Sequence, residues 1–166
     1  QIKKIVDEMV GIFEKSGLEY IPCFAPPGWE CDEKIVDPLL RHDVRLIMSG
    51  RDVLSEVTRE AKIEMSGLKG VSLIYPESVF HGRLLHLPSN FHATCPIDRA
   101  IEIIELGGVV GIKAHIIKKA GSLIARDGLD ETYRNYLDLL LFDLEQRYSD
   151  DLWWTDVYEF GQFQWT

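Results

Sequence analysis

Three histidines stand where proton transfer or metal binding could occur. His86 and His92 flank Pro88-Ser89-Asn90. Imidazole is the commonest metal ligand, and two that converge across a proline-bearing loop could share one ion. More often such residues are partly exposed polar positions. His115 ends the apolar run Val109-Val110-Gly111-Ile112-Lys113-Ala114-His115. There it is a candidate for proton transfer, or a hydrogen-bonded core or loop residue. Cys23, Cys31 and Cys95 have no basic neighbour in sequence that would mark a thiolate nucleophile, although Cys95 follows His92 closely enough for a dyad. Arg41-His42-Asp43-Val44-Arg45 reads as a helix C-terminus whose basic residues suit the helix dipole. Asp150-Asp151 reads as a solvated turn. No Gly-x-Gly-x-x-Gly or Walker lysine motif supports a nucleotide site.

These residues need elements to position them. The chain has 166 residues, 46% hydrophobic and 27% charged. That is one α/β domain spanning 1–166, with enough chain to bury a core without disulfide or metal staples. Its 27 acids outnumber 18 bases, for a net charge of −9. Such a balance argues against nucleic acid, whose phosphates need a basic surface, and against binding at anionic lipid. A sugar or another neutral or cationic small molecule fits the field better. No apolar run reaches the roughly 18 residues of a membrane span. An odd number of cysteines with no Cys-x-x-Cys pair points to a reducing compartment, so the expected location is cytoplasmic. Residues 1–8 carry acids where a secretory leader would be apolar. The absence of an initiator Met fits a processed chain or a piece of a longer one.

Hydrophobic periodicity predicts a helix over 1–16, closed by Gly17. A short strand is expected over 20–24, a loop over 25–31, and a helix capped by Asp32 running to Arg41, with Pro38 near its middle. Strands are expected over 44–48, 71–75, 84–87, 109–116 and 150–155. Helices are expected over 51–66, 97–106, 130–148 and 157–163. Alternating strands and helices favour a parallel sheet with crossover helices. In such folds the chemistry gathers at the C-terminal ends of the strands. Pro26-Pro27-Gly28-Trp29, Pro88-Ser89-Asn90 and His115 all fall at such ends. Trp29, in its proline-rich loop, is the better placed of the tryptophans to offer a flat face to a sugar. Trp153 and Trp154 are adjacent, so on a strand one would face inward and the other outward.

Phe24-Ala25-Pro26-Pro27-Gly28-Trp29 resembles the strand-end motif of the polysaccharide deacetylases, the NodB-homology or carbohydrate esterase 4 group. The segment 107–116 resembles that family's late motif, an apolar strand ending in His. The segment 152–160 is similar to its closing strand and helix. The resemblance implies a distorted (β/α) barrel, here lacking its first strands or in divergent form. It implies a metal-dependent hydrolase, commonly using zinc, that removes N-acetyl groups from sugars or related amides. A metal lowers the pKa of a bound water and polarises the amide carbonyl, and a His protonates the leaving amine. By the resemblance His115 is that general acid. Pro26, Pro27 and Trp29 line the sugar groove, and Asn90 joins them as a substrate-binding residue.

The family's Asp-Asp pair and His-x-x-x-His motif precede its Pro-rich motif and have no counterpart in 1–166, so no metal ligand is assigned. Ala25 stands where the family has an Arg. The alternative is a non-catalytic carbohydrate-binding or interaction module on the same fold. An incomplete barrel would leave a sheet edge open, so a homo-oligomer or another partner is expected to cover it.

Overall fold

The computed structural model describes residues 1–26, 31–49, 68, 70–92, 95–116, 119–120, 123–124 and 128–165. Periodic apolar residues form helix α1 (Ile2–Ser16), which buries Val6 and Val10 and ends at Gly17 as expected. The chain then enters β1 (Cys23–Phe24). Asp32 accepts a hydrogen bond from the Lys34 amide and opens a 3-10 turn, Glu33–Ile35. Helix α2 (Val36–Arg41) follows. The expected single helix from Asp32 is thus split. Pro38 has no N–H to bond back to the preceding turn, so it is tolerated only in the first turn of an α-helix. Strand β2 (Leu46–Met48) comes next, and β3 (Glu77–Val79) and β4 (Leu84–Leu87) form a hairpin. Then come α3 (Ile97–Glu105), the small hairpin β5 (Lys119–Ala120) and β6 (Leu123–Ile124), α4 (Glu131–Tyr148) and α5 (Val157–Trp165).

The described strands form an open mixed sheet in the order β1-β2-β4-β3, with β5 and β6 apart. Pairing is parallel from β1 to β2 and from β2 to β4. The expected all-parallel sheet is corrected at β3, which runs antiparallel to β4. The strand expected over 71–75 is displaced to Glu77–Val79. Ser72 is the reason: its hydroxyl accepts from the amides of Ile74 and Tyr75, a local turn that competes with extended structure. The Ser72 amide is itself taken by the Glu77 carboxylate. The helix expected over 51–66 lies outside the described residues.

Side chains alternate across the sheet, and each face has its own cover. Ile47 and Leu84 pack with Val6 of α1 and with Val36 and Leu39 of α2. Leu46 and Leu87 pack on the opposite face under Phe160 of α5. A third cluster joins Phe91, which follows β4, and Ala100 of α3 to Leu140 and Leu144 of α4. The β1 edge of the described sheet has no strand beyond it among the described residues.

Two further strands are corrected. Residues 150–155 do not pair: Ser149–Asp151 make a 3-10 turn and the chain then runs extended into α5. Trp153 and Trp154 are therefore 50% and 47% exposed, rather than one in and one out. Trp153 lies against Phe160, and the Trp154 indole N–H donates to Glu145 at 3.0 Å. Residues 109–116 make only isolated parallel bridges, at Phe91–Ile112 and His115–Gly128. Scattered backbone bonds, joined by side-chain bonds from Asn90 and Tyr133, stand in place of a continuous ladder. Among the described residues no helix is long and apolar enough to cross a membrane.

Candidate functional site

Parallel pairing points β1, β2 and β4 the same way, so their C-terminal ends share one edge of the sheet. That edge carries Ala25-Pro26 after β1, Ser49 after β2 and Pro88-Ser89-Asn90 after β4. Residues 109–115 run parallel to Phe91 beside them and end at His115. Pro26 is buried, while Pro27 and Trp29 lie outside the described residues. His115 is exposed, and its carbonyl accepts from the Leu129 amide at 2.8 Å.

Asn90, expected to meet substrate, is fully buried. Its Nδ2 donates to the carbonyls of Leu73, at 2.8 Å, and Val109, at 2.9 Å. Its Oδ1 accepts from the Gly111 amide at 2.8 Å. One amide thus ties three backbone stretches together, and the side chain serves the backbone. Gly111 is required by the same geometry. A Cβ there would stand 2.3 Å from the Pro88 carbonyl oxygen, a distance no side chain tolerates. Its neighbour Phe91 bonds both to the Gly111 carbonyl and to the Lys113 amide.

His86 and His92 are both buried. The His86 Nε2 meets the Ser49 carbonyl, an acceptor only, so Nε2 carries the proton. Its Nδ1 has no hydrogen-bond partner among the described residues. Burial holds this imidazole below its usual pKa, against the opposing pull of the Ser49 bond and of Glu77 on β3. Ser49 in turn accepts the Leu68 amide on its hydroxyl at 3.1 Å. His42, in the segment read as a helix C-terminus, caps α2 and sits 2.8 Å from Asp7 of α1.

Burial raises the Cys23 thiol to about 12, and burial with the Asp32 charge raises Cys31 to about 11. Both stay protonated at neutral pH and are poor nucleophiles or thiolate ligands. Among the described residues no three His, Cys, Asp or Glu side chains gather as a metal site would require. On the sheet face covered by α5 lies a cavity of about 400 Å3, lined by Met48, Leu87, Val110 and Leu152 and bordered by Trp153 and Trp154. Its lining is mainly apolar.

The residues around His115 that sequence reasoning missed are Gly111 and Tyr133. Gly111 carried a signal, since glycine inside an apolar strand run marks a close backbone approach. Tyr133 carried none beyond its place one turn into a helix capped by Asp130. Comparison with protein-family models, curated proteins and solved structures found no match to this chain.

Proposed function

We propose that this chain carries the late strands of a hydrolase of the polysaccharide deacetylase type, built as a distorted (β/α) barrel. Its reaction is removal of N-acetyl groups from sugars or related amides. The observation that supports this reading best is the shared edge. Pro26, Asn90 and His115 all follow parallel segments at their C-terminal ends, where α/β folds place their ligands. His115 acts as the general acid: an exposed imidazole on a fixed backbone can hand a proton to the leaving amine. Pro26, Pro27 and Trp29 line the sugar groove by the resemblance already given. The divalent metal of such chemistry, zinc by the same resemblance, is proposed as well. The described residues do not assemble a donor set for it.

Acetate release from N-acetylglucosamine oligomers, with and without added zinc, tests the proposal in the intact protein. Turnover is expected, and His115→Ala should lower kcat by more than tenfold. A smaller loss removes His115 from the reaction. Ala25, standing where the family has an Arg, favours the second reading, a carbohydrate-binding module without chemistry. Sugar binding that is indifferent to chelator, with no acetate released, would establish it.

A further inference from the structure

The backbone that carries His115 has little ladder to hold it. Its two bridges, Phe91–Ile112 and His115–Gly128, are isolated. What lies on the far side is the start of α4. Asp130 caps that helix, its carboxylate accepting from the Tyr133 amide at 2.8 Å. The cap fixes the first turn and so aims the Tyr133 side chain. Tyr133 is 3% exposed, and its hydroxyl donates to the Lys113 carbonyl at 2.6 Å. Immediately before the cap, the Leu129 amide donates to the His115 carbonyl at 2.8 Å. The first turn of α4 and the residue before its cap therefore grip the carbonyls of residues 113 and 115, on either side of Ala114. The Tyr133 ring is seated by stacking on Tyr136, with centroids 6.1 Å apart.

We infer that Tyr133 is a positioning residue for His115. It holds the Lys113 carbonyl to α4, and through it the register in which His115 meets Gly128 and Leu129. The inference deepens the proposed function and rests on its assignment of His115, but its geometry does not depend on turnover. A half-buried carbonyl that loses a short hydroxyl donor shifts to recover the bond, and the two residues beyond it move with it. An imidazole displaced by about 1 Å is a much poorer proton donor, because transfer needs hydrogen-bond distance to the leaving group.

Tyr136 supplies the control. Its hydroxyl donates to the Cys95 carbonyl, away from the 113–115 backbone. Tyr133→Phe and Tyr136→Phe each remove one hydroxyl from neighbouring stacked rings. Amide hydrogen exchange should separate them. In Tyr133→Phe the Leu129 amide should exchange at least tenfold faster, while the Leu85 amide, bonded to the Arg45 carbonyl in the sheet, keeps its protection. In Tyr136→Phe the Leu129 amide should be unchanged. Equal loss of protection at Leu129 and Leu85 in Tyr133→Phe would mean a merely structural tyrosine, and unchanged Leu129 exchange would mean no grip at all. Either result overturns the inference. Where acetate release is measurable, Tyr133→Phe should lower kcat with KM unchanged, and Tyr136→Phe should not. If the wild-type protein releases no acetate, the proposed function fails, while the exchange result still decides the role of Tyr133 in holding residues 113–115.

Discussion

Strands β1, β2 and β4 are held to one another by backbone ladders, whereas residues 108–115 beside them are held by scattered backbone bonds supplemented by the side chains of Asn90 and Tyr133. Both regions end on the same edge of the sheet. In the ladder every residue supplies its own bonds, so a side chain can change while the pairing survives. In the other segment two side chains add bonds at residues 109, 111 and 113 to a broken set of backbone ones. Sensitivity to mutation is thereby concentrated in one asparagine, one tyrosine and one glycine. The gain is freedom of shape: a backbone not committed to a ladder can turn a side chain such as His115 out to solvent.

The comparison is broken most severely at Asn90. Asn90→Ala leaves two carbonyls and one amide without their partner inside the protein. At roughly 1–3 kcal/mol for each unpaired buried group, partly recovered by relaxation, the expected loss is on the order of 3–5 kcal/mol. Urea unfolding measures it. A loss below about 1 kcal/mol would mean that backbone bonds, not the side chain, hold residues 108–111.

Gly111→Ala comes next. The added methyl would meet the Pro88 carbonyl, which is backbone and cannot swing aside. The expected cost is about 2–3 kcal/mol, typical of forcing a group into a filled space. A lowered melting temperature for Gly111→Ala, with no loss for an alanine at Gly11 of α1, where an added Cβ meets nothing within 4 Å, would localise the effect.

The third and smallest effect lies in the laddered region, at His86. The folded protein keeps this imidazole neutral, while the unfolded chain takes up a proton below about pH 6.5. Its contribution to stability is complete above that pH. It is lost as pH falls further, by at most about 1.4 kcal/mol per unit, until the folded imidazole protonates too. His86→Leu should flatten the stability profile between pH 6.5 and 5 while leaving the β2–β4 pairing intact. A profile identical to wild type would show that other groups set it.

The sequence was most legible where one face of a regular element meets the core. The periodicity of residues 2–13 gave α1, and Asp130 gave the start of α4. Leu84–Leu87 gave β4 because a short apolar run bounded by Arg and Pro has few other fates. Legibility failed where a side chain competes with the backbone for hydrogen bonds. Ser72 turns an apolar run that looks like a strand, and Asn90 replaces a ladder that looks continuous. The edge that gathers Pro26, Asn90 and His115 followed from the alternation of elements, but the burial of Asn90 did not. Its partners Leu73, Val109 and Gly111 are distant in sequence, and nothing local announces them.

Phe160 packs on Leu46 and Leu87, in the middle of the sheet. It follows Leu46 by about 110 residues, so this contact is among the most non-local in the chain, and closing so long a loop is costly and slow. During synthesis the strands are complete long before their cover exists. The apolar face of β2 and β4 must wait, open to water or to a chaperone, until α5 has emerged.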